Sequence, residues 1–184
     1  MGNQKEIIIS GVGGQGMMVC GAILGEAAAV HEKKHVTLSS EYGIEARGSF
    51  AKSDLIISDD EIFFIGAENP ALVVCLAQAA YEHYSGGVPD GTLLVYDENL
   101  VEAGKNKSGK ERGVPITAMS KQIGNPMVAN IITVGIIAAA LQTASAESLK
   151  KAIASHFKKY SDENLEKNFK AFDMGYEAGK NLIG

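Results

Sequence analysis

The sequence predicts an α/β layered fold on a mostly parallel sheet, in one domain spanning residues 1–184. Three observations predict it. Short apolar runs alternate with helical segments through the first two thirds of the chain. A glycine-rich turn joins the first of those runs to the first helix. The final third reads as helix alone.

The elements follow in order. Lys5 to Ser10 holds three consecutive isoleucines before glycine, the signature of a buried strand. Gly14 to about His31 reads as the first helix. Gly21, Gly25 and Ala28/Ala29 recur along it at helical spacing, forming a small-residue stripe. Glycine in a helix costs about 1 kcal/mol against alanine, so close approach to a sheet or backbone is the expected compensation. "KHVTLSS" reads as a second strand, and "EYGIEARGS" as a loop bounded by glycines. "SFAKSDLIIS" has β-type composition with partial alternation, as in a strand with one exposed face. Ala71 to Ala77 is a fully buried strand, "QAAYEHYSGGV" a short helix ending at a glycine pair, and "GTLLVYDENL" the next strand. Glu102 to Gly113 is polar and glycine-containing, hence a surface loop. "VPITAMS" reads as an edge or final strand, because proline suits an edge. Helices follow over about Pro126–Gln142, Ala146–Tyr160 and Asp162–Asn181, with Ser145 and Ser161 as N-caps.

The totals narrow the function. The net charge of −5 argues against nucleic acid. Met127 to Leu141 is the longest apolar run, short of the roughly 20 residues a membrane span needs. It also carries Asn130 and Thr133, which predicts a buried helix in a cytoplasmic protein. The two cysteines, Cys20 and Cys75, sit inside apolar segments and are expected to pack as small hydrophobes. No C-x-x-C spacing exists, so no zinc or iron–sulfur site is encoded. The histidines, 31, 35, 83 and 156, are scattered, and no Ser-His-Asp or Cys-His arrangement can be argued from spacing. Asn130 must find a partner if buried, and a structural hydrogen bond is expected.

Two loops concentrate the remaining signal. Gly11, Gly13 and Gly16 match G-x-G-x-x-G between strand and helix. Glycines remove side chains and permit positive φ, and the free N–H groups of a helix start favour an anion. The same pattern also serves a tight strand–helix connection packed against protein. A dinucleotide site wants an acid ending the second strand; Glu41 comes late, after "SS", in what reads as a loop. Gln15, a long amide among glycines, calls for a specific hydrogen-bonding partner. The second loop, Ser39 to Ser49, carries Arg47, one of only two arginines, flanked by Glu41 and Glu45 and accompanied by Tyr42. Arginine offers a planar fork for carboxylate or phosphate, and tyrosine anchors interfaces. A loop stitched by its own Glu–Arg pair is the other reading. Both loops follow strands, so they are expected to share one sheet edge.

"GVGGQG" after an isoleucine-rich strand, with "YGIEARGS" some 30 positions later, resembles the gamma subunit of the 2-oxoacid:ferredoxin oxidoreductases. "NPMVANIITVG" resembles the family's later helix and "NLEKNFKAFDMGYEAG" its C-terminal one. Ser49 departs from the second glycine the family often places after Arg-Gly. The resemblance implies a Rossmann-like three-layer α/β/α domain that binds no NAD. It also implies a complex that oxidatively decarboxylates a 2-oxoacid, makes an acyl-coenzyme A and reduces ferredoxin. Thiamine diphosphate, magnesium and iron–sulfur clusters are then held by other subunits, and this chain has neither cluster cysteines nor a "GDG" diphosphate motif. The partners implied are alpha and beta thiamine-binding subunits, a small ferredoxin-like subunit and ferredoxin as acceptor, with no nucleic acid and no membrane. Among relatives, the paired motifs look closer to the 2-oxoglutarate and branched-chain (ketoisovalerate) types than to the pyruvate type, and the indolepyruvate type shares the glycine turn.

The expectation is therefore a subunit that is not catalytic alone. Gly13, Gly14, Gln15 and Gly16 would face a coenzyme A phosphate or a partner loop, and Tyr42, Glu45, Arg47 and Gly48 would dock partner subunits. No catalytic residue and no metal site is assigned. The rival is a stand-alone oxidoreductase binding NAD or FAD on the same turn; a third reading packs the turn against protein only.

Overall fold

The computed structural model describes residues 4–43, 49–104 and 110–182. Lys5–Val12 forms β1, and Met17–Glu26 forms α1, which widens into a π-helical turn at Ala27–His31. His35–Tyr42 (β2) and Phe50–Ser58 (β3) make an antiparallel pair. Leu72–Cys75 (β4), Gln78–Tyr84 (α2), Leu93–Asp97 (β5) and Glu111–Val114 (β6) follow. The chain then folds as Ile116–Ile123 (α3), a 3₁₀ turn at Pro126–Val128, Ala129–Leu141 (α4), Ala146–His156 (α5) and Asp162–Lys180 (α6).

The sheet order is β2-β3-β1-β4-β5-β6. Pairings β1/β4, β4/β5 and β5/β6 are parallel, whereas β3 runs against both β1 and β2. The chain leaves β1 through α1, lays down β2 two positions away, and returns β3 into the gap. It then crosses to the other side of β1 for β4. That change of direction beside β1 is where α/β sheets open a crevice at the carboxyl ends of their strands.

Alternate residues of the strands feed two cores. Ile7, Ile9, Leu55, Val74 and Val95 face α1 and α3–α6. Ile8, Val73, Cys75, Leu94 and Tyr96 face α2 and the loops around it. The glycine stripe of α1 does what its spacing predicts: a Cβ on Gly21 would meet Leu38 of β2 at 2.6 Å, and one on Gly25 would meet Val36 at 3.3 Å. Ser145 and Ser161 cap α5 and α6 by accepting the N–H of Ser148 and Asn164.

Several expectations are corrected at element level. Residues 115–120 begin a helix, with Pro115 (φ −79°) at the N-cap and Ile116, Ser120 and Ile123 buried on one stripe. The Asp97 carboxylate accepts the N–H of Thr117 at 3.1 Å, holding that helix start. Glu111–Gly113 belongs to β6, where the buried Glu111 accepts the hydroxyl hydrogen of Tyr81 at 2.8 Å. Glu41 and Tyr42 lie within β2 and not in the loop after it. β3 is buried along most of its length, between two strands, with Lys52 held to the Asp54 Oδ2 oxygen at 3.0 Å while Asp54 Oδ1 is buried without a hydrogen-bond partner among the described residues. The first helix starts at Met17 and not Gly14, the helix placed at Pro126 becomes regular only from Ala129, and α5 ends at His156.

Candidate functional site

β1 ends at Val12, and the turn that follows reverses the chain through Gly14 (φ +96°) and Gly16 (φ +77°). Both angles lie in the left-handed region, which only glycine occupies at low cost. Gly16 is the N-cap of α1; no side chain caps this end and no acid occupies its first turn. The orphan N–H groups and the positive end of the helix dipole therefore remain available to an acceptor. Around Gly13 and Gly14 a Cβ would meet nothing within 4 Å. Gly16 is different: a Cβ there would fall 2.9 Å from Asn130 Nδ2 of α4.

Gln15 has its partner inside the chain. Its Nε2 donates to the Leu76 carbonyl at 2.6 Å, and its Oε1 accepts the Val12 N–H at 2.8 Å. The side chain thus folds back across Gly11, whose missing Cβ makes room for Oε1, and fastens the turn to the end of β4. Gly13 donates to the Ser49 carbonyl at 3.3 Å. The glycine turn and the end of the second loop therefore meet, on the shared sheet edge the sequence predicts.

Together these groups open a cleft of about 540 Å³. Gly14, Gln15 and Gly16 form its floor, and Tyr42 of β2 closes one side. The far side comes from Asp97 and Thr117 at the β5–α3 junction and from Met127 and Asn130 at the start of α4. Its rim is apolar and exposed: Met18, Tyr42, Leu100 and Met127 all present large side chains to solvent. The Asn130 side-chain oxygen is buried without a hydrogen-bond partner among the described residues, against the structural bond expected of it. The bond made at this residue is to its backbone carbonyl, from the Cys20 thiol at 3.1 Å.

Lys52 is the cation among the cleft residues. Burial pulls its ammonium down, but the Asp54 carboxylate at 3.0 Å and Glu41 at 3.5 Å more than reverse this and hold it above the usual lysine range. Glu41 therefore answers Lys52 across the hairpin, and strand alternation points it to the face opposite Tyr42. It is not placed as the ribose acid of a dinucleotide site would be. Of the docking residues expected from sequence, Tyr42 lies at the cleft, while Glu45, Arg47 and Gly48 lie outside the described residues. No motif marks Thr117, Leu100 or Met127 as cleft residues, whereas an aspartate ending a buried strand, as in "LLVYD", is a signal for Asp97.

Cys20 and Cys75 are wholly buried, one in each core, and burial pushes both thiols up to about 12. His83 packs tilted against Phe50 and edge-on to Tyr84, each at 4.7 Å between ring centres. No helix among the described residues is long and apolar enough to cross a membrane.

Comparison with known proteins joins this geometry to a family. The model of the pyruvate ferredoxin/flavodoxin oxidoreductase family matches residues 6–178. The chain is 39% identical to the 2-oxoglutarate synthase subunit KorC of Methanocaldococcus jannaschii, over 97% of this chain and 96% of that one. A solved gamma subunit of a keto/oxoacid ferredoxin oxidoreductase from Geobacter sulfurreducens superposes with a TM-score of 0.79 at 33% identity, over 95% of this chain and 98% of the other. The 2-oxoglutarate:ferredoxin oxidoreductase of Magnetococcus marinus, solved with 2-oxoglutarate, coenzyme A and succinyl-CoA, matches with a TM-score of 0.88 at 22% identity. There the match covers 97% of this chain and 31% of the larger one, a likeness of fold.

Proposed function

Because the chain belongs to the pyruvate ferredoxin/flavodoxin oxidoreductase family, we propose that it is the gamma subunit of a 2-oxoglutarate:ferredoxin oxidoreductase. That assembly oxidises 2-oxoglutarate to succinyl-coenzyme A and carbon dioxide and passes two electrons to ferredoxin. The observation that carries the reading is the end-to-end match, at 39% identity, with a 2-oxoglutarate synthase subunit of nearly the same extent.

The cleft supports a binding role. It combines uncapped helix amides with an exposed apolar rim, a pairing suited to an anion held beside a protein contact. In the proposed assembly the Gly13–Gly16 turn receives a coenzyme A phosphate or an acidic partner loop. Gln15 acts indirectly, by fastening the turn to β4. Tyr42, with Glu45, Arg47 and Gly48, docks the catalytic subunits.

Thiamine diphosphate, magnesium and the iron–sulfur clusters belong to the alpha and beta subunits and a small ferredoxin-like subunit. The residues here do not fit a cluster, because the two cysteines lie in different cores on opposite faces of the sheet.

The test is anaerobic purification of the tagged chain from its native host, followed by assays with 2-oxoglutarate, pyruvate and 2-oxoisovalerate. Co-purification with thiamine-binding subunits and coenzyme A-dependent ferredoxin reduction, fastest with 2-oxoglutarate, is the expected result. A solitary chain, or one carrying its own tightly held nucleotide, overturns the reading. Within the active assembly, Gly14→Asp separates the two occupants of the turn. A raised KM for coenzyme A in an intact complex points to phosphate; dissociation of the complex points to a partner loop.

A further inference from the structure

Residues 59–71 link β3 to β4 on the face that carries α2, where Ala67 packs, and they form neither helix nor strand up to Leu72. Their backbone is nonetheless pinned. Asp60 N–H donates to Ser58 Oγ at 3.0 Å, the Ile65 carbonyl accepts the Ser39 hydroxyl at 2.9 Å, and Ala67 N–H reaches Asp54 Oδ2 at 3.5 Å. Glu68 and Asn69 then donate together to the buried Glu6 carboxylate, at 2.7 and 2.8 Å. From this fixed frame Phe63, Phe64 and Ile65 turn outward, 84%, 47% and 68% exposed.

We propose that Phe63–Phe64–Ile65 is a preformed docking hook, seated in an apolar groove with a basic rim on one of the thiamine-binding subunits. This rests on the assembly proposed above. Three consecutive large apolar side chains standing in water are unusual for a finished surface. Aromatic anchors of this kind dominate interface energetics. The anchors on either side of the tip mean that little ordering remains to be done on binding. The charge of the segment selects the occupant. Residues 59–71 carry Asp59, Asp60, Glu61 and Glu68 and no lysine or arginine; Asp59 is answered by Lys34 at 4.0 Å, so the exposed Glu61 and Glu68 set the sign offered to a partner. A second copy of the chain meeting this surface about a twofold axis would set acid against acid. An anionic membrane would repel it for the same reason. A foreign groove rimmed with lysine or arginine matches it. Phe63, Phe64 and Ile65 do not line the glycine-turn cleft, although Asp54 joins the two places by accepting both the Ala67 N–H and the ammonium of Lys52, which lines the cleft.

The experiment measures binding of the full chain to the thiamine-diphosphate-binding subunits of the same complex, purified without it, under anaerobic conditions and at several salt concentrations. The variants are Phe63→Ser/Phe64→Ser and Glu61→Lys/Glu68→Lys; because these side chains stand in solvent, an unchanged thermal melt verifies the fold of each. The aromatic variant is expected to raise Kd by roughly 100-fold. The charge variant is expected to bind more weakly and to flatten the salt dependence. Wild-type binding that both variants retain within twofold overturns the hook alone. Failure of the wild type to bind these subunits overturns the assembly reading, and the hook with it. A wild-type self-dimer, or binding to phosphatidylserine vesicles, that the aromatic variant abolishes reassigns the tip and also overturns the proposal.

Discussion

The two faces of the sheet are finished differently. Among the described residues, one is closed by α1 and α3–α6 over a largely aliphatic core. The other has α2 alone among the described residues, with long loops, and its interior mixes apolar side chains with buried polar groups such as Ser10, Asp54 and Glu111. On the first face the helices approach closely because glycines stand where side chains would collide. On the second, hydrogen bonds hold irregular backbone in place and leave apolar side chains outside. The helix-rich face is complete within the chain. The helix-poor face is built as a frame, and one segment pinned to it projects Phe63–Ile65.

The contact between α4 and α6 tests the first half of that contrast most severely. A Cβ on Gly175 would penetrate the Ile132 carbonyl, and Gly135 and Gly179 face the opposite helix just as closely. Backbone cannot give way as a side-chain tip can, so Gly175→Ala must separate the helices. The expected loss is about 3 kcal/mol, in the range of severe overpacking. It is read as a lower urea midpoint, or as failure to accumulate folded protein. A variant with the wild-type midpoint would break the claim that this face is closed by close approach.

Gly16→Ala probes where that tightness reaches the cleft. The substitution meets positive φ and Asn130 together, and about 1–2 kcal/mol of stability should be lost. Gly14→Ala also meets positive φ but has open space around its Cβ, so its loss should be smaller. The difference between the two urea midpoints isolates the crowding by α4. Equal losses would mean that α4 yields and that the cleft floor is softer than its geometry.

What was legible in the sequence was local. Ile7–Ile9 running into glycine marks β1 and its turn, and Ser145 and Ser161 mark their helices, because each signal lies within a few residues of what it controls. The antiparallel insertion of β3 was not legible, since a strand's partners are chosen by tertiary packing. Pro115 suits a strand edge and a helix start alike; what decides between them is Asp97, 20 residues away in sequence, receiving the Thr117 N–H. Gln15 stood out, but its acceptor on Leu76 is 61 residues distant. Half of the cleft, the glycine floor and Tyr42, followed from motifs. The other half depends on how α3 and α4 dock. "EIFFIG" reads as one more short apolar run, and only the fold shows that it stays outside.

The cysteines give a direct reading of how firmly each face is shut. Both thiols are pushed up to about 12, so iodoacetamide at pH 8 should leave both untouched in the native protein. Below the unfolding midpoint in urea, labelling requires local opening. Cys75 is covered by the seven-residue α2, while Cys20 lies beneath α4. Cys75 should label about tenfold faster, by peptide mass spectrometry, because less packing must be undone. Equal rates would show that the two faces open as one unit.

The smallest expected effect is electrostatic and lies on the helix-rich face. Glu32, just after the π-helical turn, accepts the Ser145 N–H at the cap of α5. Partial burial pushes this carboxyl up, but the Ser145 and Ser148 hydrogen bonds and nearby Lys34 outweigh it and hold it below the usual carboxylate range. A depressed folded-state pKa stabilises the protein above the unfolded value, and that contribution disappears as pH falls through the folded one. Glu32→Gln should thus cost about 0.5 kcal/mol at pH 7, small because the pair is solvent-accessible. The two proteins should converge as pH drops below about 4. Urea midpoints of both across that range make the measurement. A loss that persists in acid would assign the contact to shape, and close packing would then account for the helix-rich face without help from charge.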